Sequence, residues 1–148
     1  MKKILFLAVS LFAATFFSQT VKAQTEAQKV DLCSKVAGGA TLLESYIVKL
    51  DAASDGQRAP VFRQAVGMKK GNSYRFTICT DEESTGEAIL MVYDEGKMVG
   101  TSYIQSSGQM VQNFDLECNK TAIYVIMVSF KDGKDGSAVA VVSHVKTL

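Results

Sequence analysis

The sequence predicts an all-β fold, namely an eight-stranded, antiparallel, jelly-roll-like β-sandwich with a short N-terminal helix before it. Two observations predict this fold class. Apolar side chains alternate with a period of two along eight short segments, as they do in half-buried strands. Glycine, asparagine and aspartate residues lie between these segments, where tight turns favour them. Many short strands joined by regular turns are typical of a sandwich or barrel.

The first 23 residues have the three parts of a secretory signal peptide. Lys2 and Lys3 form a positive start, and Ile4 to Phe17 is an apolar run of 14 residues. The more polar stretch that follows ends at Ala23, so we expect cleavage between Ala23 and Gln24. A membrane span needs about 20 apolar residues, which makes this run too short for an anchor.

Removal of the signal peptide leaves 125 residues with 13 Lys and Arg against 15 Asp and Glu, a net charge of −2. This composition lacks the basic surplus of a nucleic-acid-binding protein, so no nucleic acid partner is expected. No second long apolar run follows, so the mature form is expected to have no membrane span. We therefore expect one exported domain, periplasmic or secreted, that is large enough to bury its own core.

A helical lead-in, residues 24–40, precedes the predicted sandwich domain at residues 41–148. Apolar side chains recur in the lead-in at a spacing of three to four residues: Ala27, Val30, Cys33 and Val36. This spacing places them on one face of a helix, and a pair of glycines then ends it.

Eight segments carry the strand pattern: residues 45–50, 61–68, 73–79, 87–93, 98–103, 111–118, 121–130 and 137–145. Segments 87–93 and 121–130 are apolar on both faces, which predicts central strands of a covered sheet. The single proline, Pro60, lies at a strand start, where a missing N–H costs least.

Four stretches resemble the strands of the bacterial pre-peptidase C-terminal domain, a jelly-roll β-sandwich of secreted proteins. They are Tyr74–Ile78, Ala88–Asp94 leading into Gly96, Phe114–Leu116 and Tyr124–Val128. The resemblance covers about residues 45–146. It implies a jelly-roll fold and an ancillary or binding role, and it transfers no catalytic residue.

The three cysteines are Cys33, Cys79 and Cys118, and an oxidising compartment allows one disulfide among them. Three pairings can be drawn. We favour Cys79 with Cys118, because both lie on predicted strands, while Cys33 is a further candidate in the helical lead-in. The alternative is three buried, reduced thiols that act as small apolar side chains.

The sequence predicts no catalytic, cofactor-binding or metal-binding residue. His144 is the only histidine, and no nucleophile motif such as G-x-S-x-G accompanies it. Segments 81–83 and 132–136 are acidic but do not match a D-x-D-x-D-G calcium loop, so we interpret them as solvated turns. Asp115 and Glu117 share one outward strand face, whereas glycoside hydrolysis needs carboxylates across a cleft.

These observations predict a non-catalytic binding or ancillary module at the cell envelope, with a protein or glycan ligand and no cofactor. The sequence has no Trp that could form an aromatic platform for a sugar. We expect Tyr46, Tyr93 and Tyr103 to be half-buried on strands. Two alternatives stay open. Clustering of His144 with cysteines or carboxylates in a pocket would favour a secreted hydrolase. An exposed apolar patch or edge strand would favour a structural, oligomer-forming subunit.

Overall fold

The structure is a computed structural model that describes residues 24–148. The predicted signal peptide, including Ala23 at its cleavage site, lies outside the described residues and stays a prediction. One helix, α1 (Glu26–Val36), precedes ten strands. The strands are β1 (Thr41–Leu50), β2 (Phe62–Met68), β3 (Asn72–Thr80), β4 (Ala88–Asp94), β5 (Lys97–Thr101), β6 (Tyr103–Ile104), β7 (Gln109–Met110), β8 (Asn113–Glu117), β9 (Ala122–Phe130) and β10 (Gly136–Thr147).

Eight of these strands form two antiparallel four-stranded sheets. Sheet A has the order β1-β10-β3-β8, and sheet B has the order β2-β9-β4-β5. The first strand thus pairs with the last, and the second pairs with the last but one, which is the strand order of a jelly roll. The predicted all-β, jelly-roll-like sandwich with an N-terminal helix is therefore confirmed.

The strand boundaries differ from the prediction mainly between β5 and β8. The segment predicted as one strand at residues 98–103 is divided between β5 and β6, and β6 pairs with β7 to form a separate hairpin. The strands predicted to be central, at 87–93 and 121–130, correspond to β4 and β9, which both occupy inner positions of sheet B.

The hydrophobic core lies between the two sheets and is built from alternate residues of their strands. Phe76 is fully buried and stacks on Phe114, with ring centroids 5.4 Å apart. Gly100 of β5 leaves room for this pair, because a Cβ atom there would lie 2.5 Å from the Phe114 ring. The other fully or nearly fully buried core side chains include Val48, Met68, Leu90, Val92, Ile126, Val128, Ala140 and Val142.

Helix α1 covers the outer face of sheet A. Thr25 caps its N-terminus in a capping box with Gln28. Cys33 then packs on Val139 and Val141 of β10, which point away from the main core. Because β10 is covered on both sides, its residues 138–143 are all buried.

A disulfide joins this helix to sheet A. It links Cys33 to Cys79, whose Cα atoms are 5.8 Å apart, while Cys118 is a buried free thiol. The structure therefore contradicts the predicted pairing of Cys79 with Cys118. Cys79 points outward to the helix and lies at one end of the sandwich, whereas Cys118 packs into the main core just after β8, at the other end.

Polar contacts hold the C-terminal end of the helix to the edge of sheet A. Arg75 donates two hydrogen bonds to the carboxylate of Asp115, at 2.7 and 2.8 Å, and a third to the carbonyl of Ala37 at 2.9 Å. Asn113 donates to the carbonyl of Val36 at 3.0 Å. These bonds satisfy helix carbonyls that otherwise lack intrahelical partners. The hydrogen bond from Arg75 lowers the pKa of Asp115 below its ordinary value.

No helix among residues 24–148 is long and apolar enough to cross a membrane.

Loss of the disulfide should destabilise the fold more than loss of the free thiol. The bond closes a loop of 46 residues, so Cys33→Ser should lower the free energy of unfolding by about 3–4 kcal/mol. Cys118→Ala, which keeps the disulfide, serves as the control and should cost about 1 kcal/mol. Urea unfolding measures both. Thiol titration of the unfolded wild type should give one thiol without reductant, and a count of three would contradict the pairing.

Protonation of Asp115 should weaken the helix attachment in acid. Its pKa is lowered in the folded state, so the stabilisation is complete above the ordinary value of 3.8 and is lost as pH falls through the lowered pKa. The Asp115 side chain is 40% exposed, so solvent screening limits the contribution to about 1 kcal/mol or less. Asp115→Asn should remove this part of the acid dependence when unfolding is measured from pH 7 to 2. An unchanged pH dependence would contradict this role.

Candidate functional site

Four connections meet at one end of the sandwich, which we call the loop end: residues 51–61, 81–87, 102–112 and 131–135. The strand register places them together. Leu50 lies opposite Gly136, Thr80 lies opposite Ala138, and Ala88 lies opposite Phe130. The strand ends from which these connections leave are therefore adjacent in both sheets.

The loop end is strongly acidic. Its four connections contain eight carboxylates and three cations, whereas the turns at the opposite end, 69–71, 95–96 and 118–121, contain three lysines and one acid. Most of the carboxylates, including Glu82, Glu83 and Asp132, are exposed. The fold thus concentrates negative charge at one end, although the net charge of residues 24–148 is only −2.

Hydrogen bonds between neighbouring loops fix their relative positions. The N–H of Gly86 donates to the carbonyl of Asp135 at 2.8 Å, and the N–H of Ala53 donates to the carbonyl of Gly133 at 2.8 Å. The N–H of Ser137 donates to Ser84 Oγ at 3.0 Å. Loops 51–61 and 81–87 are therefore both bonded to loop 131–135, and loop 81–87 is also bonded to the start of β10. These three of the four connections form one continuous surface.

Asp81 anchors this surface to the helix. Its carboxylate accepts a hydrogen bond from Lys29 of α1 at 2.7 Å and another from the hydroxyl of Ser137. The bond to Asp81 raises the pKa of Lys29 above its ordinary value. This carboxylate is thus engaged in the fold, and the exposed acids around it provide the charge of the surface.

The β6–β7 hairpin is attached to both sheets at its base. The buried Ser102 exchanges two hydrogen bonds with Leu90 of sheet B: its N–H donates to the Leu90 carbonyl, and its Oγ accepts from the Leu90 N–H, both at 2.9 Å. The carbonyl of Gln112 accepts from the N–H of Ile78 in sheet A at 2.9 Å. The hairpin therefore projects from a fixed base that bridges the two sheets.

The hairpin carries no charged residue, in contrast to the loops around it. Residues 104–109 are all exposed and present Ile104, one glycine and the hydroxyl and amide groups of two serines and two glutamines. The ammonium of Lys131 lies 5.9 Å from the centroid of the Tyr103 ring beside the base. An uncharged hydrogen-bonding tip within an acidic surface can enter a polar cleft without bringing charge into it.

The predicted candidate residues lie at other places in the fold. His144 Nε2 is 3.0 Å from Asn72 Oδ1, and its ring meets Tyr74 edge-on. Among residues 24–148, no group of three or more His, Cys, Asp or Glu side chains is placed to hold a metal ion. Asp115 is held by Arg75, and it does not face a second carboxylate across a cleft.

Cys118 lies at the end opposite the loop end, where its neighbours Glu117, Asn119 and Tyr124 line a cavity of about 490 Å³. Its thiol contacts the carbonyl of Lys120 at 3.0 Å and the hydroxyl of Tyr124 at 3.5 Å. Burial raises the pKa of Tyr124. Neither contact is a base that would generate a thiolate, so the geometry does not provide an activated nucleophile.

The three tyrosines considered for a glycan platform lie on separate surfaces. Tyr46 packs beside Phe62, with ring centroids 5.9 Å apart. Tyr93 lies on the outer face of sheet B, and Tyr103 lies at the base of the hairpin. A sugar-binding platform needs adjacent aromatic faces, and these three do not provide one.

The sequence did not reveal the hairpin as a candidate site. Its signals were weak, since the turn at Ser106–Gly108 is an ordinary one and each strand has only two residues. The buried Ser102, which fixes the base, resembles any polar residue between two strands. Only the three-dimensional arrangement shows that its hydroxyl satisfies a buried N–H.

Comparison with known proteins relates the fold to a lysozyme inhibitor. Neither a family model nor a curated protein matches the sequence. Among solved structures, the chain is similar to PliG of Aeromonas hydrophila, described as a periplasmic lysozyme inhibitor of g-type lysozyme. The TM-score is 0.52 at 13% sequence identity, and the match covers 72% of this chain and 89% of PliG. At this identity the similarity shows the fold.

This finding corrects the resemblance to the pre-peptidase C-terminal domain. The structural similarity is to PliG instead. The motifs that suggested the pre-peptidase domain were alternating apolar strands, and every jelly-roll strand with one buried face has this pattern. They therefore predicted the sandwich correctly and assigned it to the wrong family.

Replacement of Ser102 should loosen the base of the hairpin. Ser102→Ala leaves the buried Leu90 N–H without an acceptor, so the free energy of unfolding should fall by about 1–3 kcal/mol. Hydrogen exchange at the Leu90 amide should become faster. The matched control is Ser106→Ala at the exposed tip, which should change stability by about 0.5 kcal/mol or less. Equal effects of the two variants would contradict the anchoring role.

Proposed function

We propose that the mature chain is an exported, non-catalytic protein-binding module that inhibits a lysozyme. The observation that carries this proposal is the jelly-roll sandwich shared with PliG over 89% of that chain. The disulfide between Cys33 and Cys79 supports a location in an oxidising compartment such as the periplasm.

The loop end is the surface that we assign to the partner. Binding residues are often carried on loops that a rigid scaffold positions, and here hydrogen bonds connect the loops to one another and to both sheets. Such preorganisation lowers the entropy cost of association. The exposed acids fit a partner that carries positive charge around its binding cleft, and they would steer its approach.

The hairpin tip supplies the chemistry expected for a glycosidase cleft. Glycoside hydrolysis generally uses a pair of carboxylates beside the scissile bond. An uncharged segment with serine and glutamine side chains can hydrogen-bond to such groups without like-charge repulsion. Residues 104–109 are therefore the segment that we place nearest to the catalytic carboxylates of the lysozyme.

A non-catalytic role agrees with the described side chains. His144 is paired with Asn72, and the Cys118 thiol has no base beside it. Clustering of His144 with cysteines or carboxylates in a pocket would have favoured the secreted hydrolase considered from the sequence, and among residues 24–148 these groups do not cluster. A glycan ligand is disfavoured by the separation of the three tyrosines.

A lysis assay tests the proposal directly. The mature chain should slow the lysis of a cell-wall suspension by g-type lysozyme in a concentration-dependent manner. Ser106→Glu should raise the concentration for half-inhibition about tenfold or more, because it places a carboxylate against those of the enzyme. The matched control is Ser45→Glu on the exposed part of β1, which should inhibit like the wild type.

Two outcomes would contradict the proposal. If the wild type fails to bind and inhibit lysozymes of the g, c and i types, the partner class is wrong. If the wild type inhibits but Ser106→Glu and Ser45→Glu inhibit equally well, the partner lies elsewhere than at the hairpin. Circular dichroism of each variant separates loss of binding from loss of folding.

A further inference from the structure

The outer faces of the two sheets differ in how they are covered. Helix α1 packs on the outer face of sheet A, where Cys33, Val139 and Val141 form a second buried cluster. The corresponding side of sheet B, which we call the open face, is defined by these apolar residues: Ala65, Gly67, Ile89, Met91, Tyr93, Met98, Ile123, Val125 and Met127. Within residues 24–148, none of them belongs to either hydrophobic cluster.

The strand register makes the centre of the open face a continuous apolar surface, with Arg63, Thr101 and Ser129 at its side nearest the loop end. One row across the four strands consists of Ala65, Val125, Tyr93 and Met98. In the next row, Met127 lies opposite Met91, and the exposed Arg63 of β2 and the half-buried Thr101 of β5 form the two ends of the row. Ile123 is 65% exposed and Met98 is 48% exposed. A contiguous apolar patch of this kind marks an interaction surface more often than an isolated exposed side chain does.

The sequence pattern independently points to a covered face. The segments of β4 and β9 are apolar on both sides, which is typical of strands buried on both faces. In β10 of sheet A the same pattern is explained by the helix, which buries Val139 and Val141. In β4 and β9 the outward apolar residues have no covering element among the described residues.

We infer that the open face binds the open face of a second copy of this chain, with the two copies antiparallel. Flat sheet faces pack on one another at about 10 Å with aligned strands. A two-fold axis in the interface makes such a contact self-complementary.

The charge distribution favours the antiparallel arrangement. In each copy the loop end is acidic, and the opposite end is basic through Lys69 and Lys70, since Lys120 there is paired with Asp94 and Glu95. When the copies are antiparallel, the acidic end of each lies beside the basic end of the other. A parallel arrangement would place the two acidic ends together, and like charges oppose association.

The area of the face fits a reversible dimer. Strands of five to nine residues, spaced by about 4.8 Å, give a face of at most roughly 25 by 19 Å. This projected area, about 500 Å², is somewhat less than the roughly 800 Å² per partner of a standard interface. The turns at both ends, which carry the complementary charges, supply the remainder. We therefore expect dissociation on the order of micromolar concentration.

Sedimentation velocity tests the inference on the mature chain purified after export. Between about 1 and 100 µM the wild type should shift from monomer to dimer. Ile123→Lys and Val125→Lys should each raise the dissociation constant about tenfold or more, because each places a charge in an apolar interface. The matched control is Leu43→Lys on β1, where the leucine is 50% exposed, and it should dimerise like the wild type. A wild type that stays monomeric at 100 µM overturns the inference.

Zero-length cross-linking tests the arrangement. A carbodiimide should join Lys69 or Lys70 of one copy to an acid such as Glu87 or Asp132 of the other. These groups lie at opposite ends of sheet B, about 23 Å apart by strand length, so one copy cannot form the link by itself. Mixed isotope-labelled chains confirm that the links are intermolecular. If a dimer forms without these links, the antiparallel arrangement is wrong. If the protein is monomeric and binds lipid vesicles through Ile123, the open face binds a membrane and not a second copy.

Discussion

The central constraint of this fold is the burial of β10 on both of its faces. Residues 138–143 are buried without interruption, because Ala138, Ala140 and Val142 pack into the main core while Val139 and Val141 pack under α1. β10 also pairs with both β1 and β3, so the last strand of the chain completes the sheet that the first strand begins. Sheet A, the helix and the position of the disulfide therefore all depend on one strand that follows the other nine in the sequence. Such non-local pairing requires most of the chain to be present before sheet A can close.

Local patterns predicted the elements well, and their failures have identifiable physical causes. The alternation of Tyr74, Phe76 and Ile78 identified β3, and the doubly apolar segments identified the inner strands β4 and β9. The cysteine pairing failed because it depends on which side of a strand each thiol faces. Cys79 and Cys118 both lie near strand ends of the same sheet, but one faces the helix and the other faces the core. The hairpin was missed because its importance comes from the Ser102 hydroxyl meeting Leu90 of another strand, a contact that no local pattern encodes.

The two outer faces show how the same sequence signal can have two structural explanations. A strand that is apolar on both sides must be covered on both sides, or the exposed side must have another function. In sheet A, helix α1 of the same chain covers the outer apolar side. The disulfide and the Arg75–Asp115 pair hold this helix in place. Sheet B has no covering element within the described residues. The second copy inferred above would provide the cover that sheet B lacks among residues 24–148.

The position of the two proposed surfaces follows from the geometry of a sandwich. Loops leave the ends of the strands, whereas the open face lies along their flank, so the two proposed surfaces share only the loop-end acids near sheet B, such as Glu87 and Asp132. The uncharged hairpin bridges the bases of both sheets through Leu90 and Ile78, and it therefore keeps its position whether or not the flank is occupied. In the inferred dimer, the lysines at the basic end of one copy would lie beside the acids at the loop end of the other. They would partly neutralise the part of the loop end that is near sheet B. The acids that remain free would be those around Asp81 and the helix side of the loop end, so a cationic partner would approach from the sheet A side.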